Sequence, residues 1–133
     1  GPRFPDMLGT YDRALNAVAL NLARAHGVRA HEGVYLCLQG PNLETPAEYN
    51  MFHLLGADLV GMSTVPEVLV ARHMGLPVFV VSVATNKCYP IEDIRPTSHA
   101  DVVAVAAAAE PRLTAIVKEL LRHLERPPGE PAP

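Results

Sequence analysis

The chain repeats a strand–loop–helix pattern, and this repetition limits it to the α/β class. An apolar run that predicts a strand over 34–38 ends at the turn 40–45, which leads directly into a predicted helix. A second predicted strand over 57–62 is followed by a helix in the same way, and a third is predicted over 77–84. Alternating strands and helices predict a parallel or mixed sheet covered by helices. Three strands make a small sheet, so either another segment pairs with its edge or the fold is incomplete.

Four helices are predicted from apolar periodicity and from residues that start helices. The first is predicted from Thr10 to about His26, where a glycine follows. Thr45 and Thr64 each stand three residues before a glutamate, which predicts capped starts for the second and third helices. Ser98 is expected to cap the fourth helix, which runs through an alanine-rich segment and then a clear apolar stripe.

Composition favours one soluble globular domain and gives no sign of nucleic-acid or membrane binding. The 133 residues include 11 Lys and Arg against 14 Asp and Glu, and only 5% are aromatic. Nucleic-acid-binding domains usually carry a basic surface, so no nucleic acid is expected as a partner. No apolar run approaches the roughly 20 residues that a membrane helix needs. Cys37 and Cys88 are expected to be small buried hydrophobes in a reduced, cytoplasmic compartment.

The two ends of the sequence suggest a piece of a longer protein with an unstructured tail. The chain begins at Gly1 without a methionine, in a segment that has the character of a structured loop. The segment 125–133 is rich in proline and poor in apolar residues, which predicts disorder. Residues 1–124 are expected to form the folded unit.

Polar residues that follow the predicted strands are the first candidates for ligand contacts. Glu44 could accept hydrogen bonds from ligand N–H groups, although a solvated loop carboxylate is an equally open interpretation. Asn86 can donate and accept at once, so the two together could read a flat heterocycle. Ser63 and Thr64 open a helix, where free amides favour an anion such as phosphate, and simple capping is the alternative.

Histidines and cysteines provide little further chemistry. His99, beside the predicted cap Ser98, could direct a ring nitrogen at a ligand hydroxyl. Four others, His26, His53, His73 and His123, fit structural or surface roles. The spacing of His, Cys and carboxylate residues matches neither a metal site nor a catalytic triad, so no metal is expected.

Three motifs, taken together in this order and spacing, resemble trimeric purine nucleoside phosphorylase. They are Gly40-Pro41-Asn42-Leu43-Glu44-Thr45, Gly61-Met62-Ser63-Thr64-Val65-Pro66-Glu67 and Thr85-Asn86-Lys87. The resemblance covers residues 1–124 and corresponds to the carboxyl-terminal half of that family's chain. It implies a nucleoside phosphorylase-like fold, here an incomplete half, and a cytoplasmic enzyme of purine salvage that is a homotrimer when complete.

The resemblance also implies a reaction and a role for individual residues. Inorganic phosphate, with no other cofactor, would attack a purine nucleoside and release the free base and ribose 1-phosphate. Glu44 would hold purine N1–H and the amine of guanine, and Asn86 would contact O6 and N7. Ser63 would bind phosphate, Met62 would pack against ribose, and His99 would contact the 5′-hydroxyl. The base pocket would be lined by Leu38, Leu43, Val60 and Thr85.

Two departures from the family pattern and two alternatives accompany this interpretation. Related methylthioadenosine phosphorylases carry aspartate at the position of Asn86 and prefer 6-aminopurines, so asparagine favours inosine and guanosine. Leu43 stands where family members often have phenylalanine, a loss of about 0.5–1.5 kcal/mol of aromatic contact. The family's other phosphate contacts precede Gly1, so the isolated chain is expected to be inactive. The alternatives are a non-catalytic purine-binding or oligomerisation fragment and a methylthioadenosine phosphorylase.

Overall fold

A computed structural model describes residues 1–125 as a small parallel sheet with helices around it. The elements are α1 (Arg13–Ala25), β1 (Tyr35–Cys37), α2 (Pro46–Leu54), β2 (Leu59–Gly61), α3 (Val65–His73), a 3-10 turn (Ile91–Asp93) and α4 (His99–Glu125). The predicted α/β class is confirmed. Within the described residues, no helix is both long and apolar enough to cross a bilayer. The predicted tail 125–133 lies outside the described residues, apart from Glu125 at the end of α4.

The sheet consists of β1 and β2, which pair in parallel. The opposed residues are Tyr35 and Leu59, Leu36 and Val60, and Cys37 and Gly61. At the start of the pair, the Val34 amide donates to the Asp58 carboxylate at 2.8 Å. At its end, the Leu38 amide donates to the Gly61 carbonyl at 2.9 Å. Both strands are shorter than predicted, and they end side by side, so the turns that follow them leave the sheet at one edge.

The predicted third strand over 77–84 is wrong for the described residues. Only Val78 pairs, through a single parallel bridge with Tyr11. The Asp12 amide also donates to the Val78 carbonyl at 3.1 Å. A strand needs a neighbouring backbone along its whole length, and within residues 1–125 Tyr11 supplies one pairing only. Asn86 therefore follows a loop segment and not a strand end.

Helix α1 begins three residues later than predicted, because Asp12 caps it and Thr10 does not. The Asp12 carboxylate accepts from the amides of Ala14 at 2.8 Å and Leu15 at 3.1 Å. These bonds satisfy donors that have no partner within the first turn of the helix. Tyr11, the residue before Asp12, pairs with Val78, and this pairing keeps Tyr11 out of the helix.

Helices α2 and α4 begin with the capping that the sequence predicts. The Glu48 amide donates to the Thr45 hydroxyl at 3.3 Å, and the Thr45 amide donates to the Glu48 carboxylate at 2.7 Å. The backbone and hydroxyl bonds from Thr45 lower the pKa of Glu48. Ser98 and Asp101 repeat this arrangement at the start of α4, with bonds of 3.2 Å and 2.8 Å. Both caps are confirmed.

The predicted cap of α3 is wrong, because Thr64 adopts a strained turn. Thr64 has φ +76° and ψ −60°, and its side chain makes no capping hydrogen bond. Across it, the Val65 amide donates to the Ser63 carbonyl at 2.8 Å. These features define a γ-turn with positive φ, which is rare and costs a non-glycine residue about 1–3 kcal/mol. The amides at the start of α3 are therefore left without a hydroxyl cap from Thr64.

The most buried contact between helices joins α1 and α4. Ala23 on α1 is buried with Ile116 and Leu120 on α4. A hydrogen bond of 2.9 Å between His26, the C-cap residue of α1, and Glu119 of α4 links the same two helices at the surface. The other buried apolar residues are Tyr49, Phe52, Val68 and Val78.

Many large apolar side chains in the described residues remain exposed. Those more than half exposed include Phe4, Leu8, Leu54, Leu55, Val70 and Met74. Parallel sheets are normally covered on both faces and have more than two strands. The described residues therefore do not cover their own apolar surface, which agrees with the predicted incomplete half of a larger fold.

Replacing Leu120 with alanine should lower the free energy of unfolding by about 2–5 kcal/mol, because a buried methyl-bearing side chain is lost from a packed contact. Leu120 is 4% exposed, whereas its neighbour Leu121 is 54% exposed. Leu121→Ala removes the same atoms and should change the stability by about 0.5 kcal/mol or less. Urea unfolding of this chain, followed by circular dichroism, measures both. Equal losses would contradict the packing of α4 on α1.

Candidate functional site

The loop that carries Asn86 is anchored on α2, the helix that Glu44 precedes. The ring of Tyr89 in this loop stacks on His53 of α2, with centroids 3.8 Å apart and planes inclined by 17°. The 3-10 turn further along the loop also contacts α2. These contacts hold two segments together that are far apart in sequence. Glu44 and Asn86 thus approach each other through α2, and not through adjacent strands.

Tyr49 and Cys88 connect Glu44 to Asn86. Tyr49 lies in α2 and is only 7% exposed. Burial, and then the neighbouring Glu44 carboxyl and Cys88 thiol, raise the pKa of Tyr49. The Asn86 side-chain amide donates to the Cys88 sulfur at 3.4 Å. Glu44, Tyr49, Asn86 and Cys88 form a four-residue cluster.

Neither cysteine is the fully buried hydrophobe that the sequence predicts. Cys37 and Cys88 are free thiols and are only partly buried. Burial raises the pKa of Cys88, and the charge of Glu44 adds to it, while hydrogen bonds with Tyr49 and Asn86 act in the opposite direction. The Cys37 thiol donates to the Ser63 carbonyl at 3.6 Å. Each cysteine therefore lies beside polar groups of the candidate site.

The amide of Asn86 is oriented at both ends. The Thr85 hydroxyl donates to its oxygen at 2.9 Å, and its nitrogen donates to Cys88. A side-chain amide has two N–H groups and two lone pairs, so one of each stays free. Asn86 is also exposed. It can therefore donate to a ligand and accept from it in a fixed orientation.

Glu44 is half-buried on the turn before α2 and keeps a side open to a ligand. A carboxylate accepts hydrogen bonds from N–H donors about twice as strongly as a neutral oxygen does. Its neighbour Leu43 is 52% exposed. Together with Asn86, Glu44 presents an acceptor next to a mixed donor and acceptor, which suits the edge of a nitrogen heterocycle.

Met62, which follows β2, lies against the turn that follows β1. Gly40 in that turn has φ +65°, a conformation that favours glycine. A Cβ atom added to Gly40 would collide with the Met62 side chain. The structure therefore brings Met62 next to the turn that carries Glu44.

Three hydroxyl groups gather where β2 leads into α3. The Ser63 hydroxyl lies 3.2 Å from that of Thr64 and 3.5 Å from that of Tyr35. The Tyr35 ring crosses over Gly61, where a Cβ atom would collide with its hydroxyl. In the first turn of α3, the Val65 amide already donates to the Ser63 carbonyl and Pro66 has no N–H, which leaves the Glu67 amide beside these hydroxyls. Hydroxyls and an amide at the start of a helix are suitable donors for an anion.

The remaining candidates are less closely connected. Leu38 and Val60 are half-buried at the sheet, and the Leu38 amide bonds to Gly61. His99 is the exposed first residue of α4, and no hydrogen bond within residues 1–125 links it to the other candidates. In the same described part, no three His, Cys, Asp or Glu side chains gather as metal ligands.

Tyr35, Tyr49 and Cys88 are not among the site residues predicted from the sequence. Tyr49 falls on the same face of α2 as Phe52, so its position in the sequence indicates a core residue. Only its hydroxyl distinguishes it from an apolar core residue. Cys88 stands two residues after Asn86, and this spacing was the one available signal. The position of Tyr35 opposite Leu59 gives no indication that its hydroxyl reaches the start of α3.

Known proteins match almost the whole of this chain. The model of the phosphorylase superfamily matches residues 1–122. Purine nucleoside phosphorylase 1 of Geobacillus stearothermophilus is 40% identical over 126 residues, which are 95% of this chain and 46% of that protein. This chain thus spans about half the length of the curated relatives that it matches.

Solved structures of Schistosoma purine nucleoside phosphorylase are similar to this chain in fold. The complex with guanosine has a TM-score of 0.88 at 38% identity, covering 96% of this chain and 47% of that one. The complex with inosine has a TM-score of 0.85 at 38% identity, with coverages of 98% and 46%. The complex with adenosine has a TM-score of 0.86 at 38% identity, with coverages of 96% and 47%.

Tyr49 should resist ionisation until well above its ordinary pKa of 10.0, because burial and its neighbours raise the pKa. Because the pKa of Tyr49 is higher in the folded chain than in the unfolded chain, the stability that depends on neutral Tyr49 is fully present below pH 10.0. That stability is lost as the pH rises toward the pKa of the folded chain. The difference in tyrosinate absorbance between the chain and its Tyr49→Phe variant measures this titration. The same difference in denaturant is the control. Equal titration in both conditions would contradict the buried cluster.

Proposed function

This chain belongs to the phosphorylase superfamily, and on that premise we propose that it is part of a purine nucleoside phosphorylase acting on 6-oxopurine nucleosides. The reaction converts inosine or guanosine and inorganic phosphate into the free base and ribose 1-phosphate. One observation carries the proposal: Glu44 and Asn86 belong to one cluster, connected by Tyr49 and Cys88. Because the relatives are about twice as long, the activity is proposed for the protein that contains this chain.

The base would be read by Glu44 and Asn86. The Glu44 carboxylate accepts from N1–H of a 6-oxopurine and from the 2-amino group of guanine. The free N–H of Asn86 donates to O6 or N7, where negative charge develops as the base departs. An oriented donor stabilises that charge more in the transition state than in the ground state. Thr85 and Cys88 fix the amide in advance, which is what such stabilisation requires.

Phosphate and ribose would lie on the other side of the base, toward α3. Ser63 is the proposed phosphate ligand, supported by the adjacent hydroxyls and the uncapped first turn of α3. Met62 is proposed to pack against ribose, and its contact with the turn at Gly40 supports this role. His99 is the proposed contact to the 5′-hydroxyl. Leu38, Leu43, Val60 and Thr85 are the proposed lining of the base pocket.

The main alternative is a phosphorylase of 6-aminopurine nucleosides, such as methylthioadenosine. The relevant observation is that one solved relative is a complex with adenosine. Asn86 favours the 6-oxopurine, because its free N–H matches the carbonyl oxygen O6. A homotrimer and a cytoplasmic location are part of the proposal, and the two free thiols favour a reducing compartment.

Replacing Asn86 with aspartate in the complete protein should shift the preference from inosine toward adenosine. A carboxylate repels O6 but accepts from a 6-amino group, and loss of the donor should lower kcat for inosine about 10²–10³-fold. The measurement is kcat/KM for both nucleosides. Asn21→Asp makes the same charge change on the exposed face of α1 and should leave the ratio unchanged. An unaltered inosine preference in the Asn86 variant would refute the proposed role.

The 133-residue chain by itself should not turn over inosine. Of the phosphate contacts that the family resemblance implies, only Ser63 lies within this sequence, and neutral hydroxyls bind a dianion weakly without charged partners. Release of hypoxanthine and ribose 1-phosphate measures the activity, with the complete protein as the positive control. Turnover by the isolated chain would show that it contains a sufficient phosphate site.

A further inference from the structure

The segment that carries Asn86 is not held in place by its backbone. Within the described residues, the backbone hydrogen bonds of 79–97 lie in the short 3-10 turn and its two flanking residues, at 3.0 Å and 3.2 Å. A strand or a helix fixes its residues through regular backbone hydrogen bonds, and this segment has no such ladder. Its position relative to the rest of the chain therefore depends on side-chain contacts.

Some of these side-chain contacts join the segment only to itself. The Lys87 ammonium lies 2.9 Å from the Asp93 carboxylate, which ties the residue after Asn86 to the 3-10 turn. The Arg95 guanidinium donates to the Glu92 carbonyl at 2.8 Å. Such contacts give the loop a shape, but they do not attach it to another element. A loop of fixed shape still needs an anchor before Asn86 has a fixed place.

The stack of Tyr89 on His53 supplies that anchor. The ring centroids are 3.8 Å apart and the planes are inclined by 17°. His53 lies in the last turn of α2, a helix whose start is fixed by a capping box. Tyr89 directly follows Cys88, whose sulfur accepts from the Asn86 amide at 3.4 Å. A short series of contacts thus leads from the helix through the stacked rings to Asn86.

We propose that Tyr89 and His53 are positioning residues that place Asn86 at the O6 and N7 edge of a 6-oxopurine. The inference rests on the proposed function of Asn86. Thr85 and Cys88 orient the amide within the loop, and the stacked rings orient the loop on α2. Hydrogen bonds weaken steeply with distance and angle. A loop that shifts along α2 would therefore keep its internal bonds and still turn the free N–H away from the base.

The experiment removes one ring at a time from the complete protein. Tyr89→Ala and His53→Leu abolish the stack, whereas Tyr89→Phe keeps it. An aromatic pair contributes a factor of about 2 to 10 to an equilibrium. For either removal we expect Kd for hypoxanthine, measured by calorimetry, to rise about fivefold and kcat/KM for inosine to fall about fivefold. Tyr89→Phe should change neither by more than about twofold, since the ring stays in place.

Two control variants match these changes in size and exposure. Tyr11→Ala removes the same side chain, which is 44% exposed against 45% for Tyr89. His123→Leu repeats the histidine substitution at an exposed position of α4. Both should leave Kd for hypoxanthine unchanged. Calorimetric stoichiometry counts the molecules that are folded, so a residue that only supports the fold lowers the stoichiometry and leaves the affinity of the remainder unaltered.

A double-mutant cycle tests whether Tyr89 acts through Asn86. In the Asn86→Ala protein, adding Tyr89→Ala should change Kd for hypoxanthine by less than about twofold, because the group that the stack places is already absent. Combining Tyr89→Ala with His53→Leu should likewise exceed either single change by less than about twofold, because both break one contact. A full fivefold loss in the Asn86→Ala background, or wild-type affinity in both ring-removal variants, would overturn the inference.

The same data separate this inference from the proposed function. If the unchanged complete protein cleaves inosine and the ring-removal variants bind hypoxanthine equally well, the positioning role is wrong and the proposed function stands. If the unchanged protein neither cleaves inosine nor binds hypoxanthine, the proposed function is wrong and the inference is overturned with it.

Discussion

The parallel pairing of β1 with β2 determines where the strand-end groups of the candidate site lie. Because Cys37 and Gly61 end their strands side by side, the turn toward Glu44 and the turn toward Ser63 leave from one edge of the sheet. The close contact of Met62 with Gly40 then joins these two turns. A shift of one residue in the pairing would turn every strand side chain to the opposite face and separate these groups.

Helix α2 supplies the second constraint, because it receives a segment distant in sequence. The capping box fixes the start of this helix next to Glu44, and the stacking of Tyr89 on His53 fixes the loop that carries Asn86. The buried Tyr49 lies between these attachments along the helix. One helix thus fixes the positions of two loops relative to each other. The position of the four-residue cluster therefore depends on α2 more than on the sheet.

Features set by neighbouring residues could be predicted, whereas features set by distant backbone could not. The caps at Thr45 and Ser98 depend on bonds within four residues, and both follow from the sequence. The segment 77–84 has a strand pattern, but a strand also needs a partner, and the only described pairing of this segment is Tyr11 with Val78. Thr64 is an exception among the local features: its spacing matches that at Thr45, yet a γ-turn closed by its own neighbours, Ser63 and Val65, replaces the cap.

The two sides of the candidate site differ in how they are organised. On the proposed base side, hydrogen bonds from Thr85 and to Cys88 hold Asn86 within this chain's own structure. On the proposed phosphate side, the described groups are hydroxyls beside the strained backbone of Thr64, at a cost of about 1–3 kcal/mol. Strain of this kind persists where the surroundings or a ligand compensate for it, and a doubly charged anion is held best by charged donors. Under the proposed function, the described residues would therefore orient the groups that read the base, whereas firm binding of the anion would need charged donors in addition to these hydroxyls.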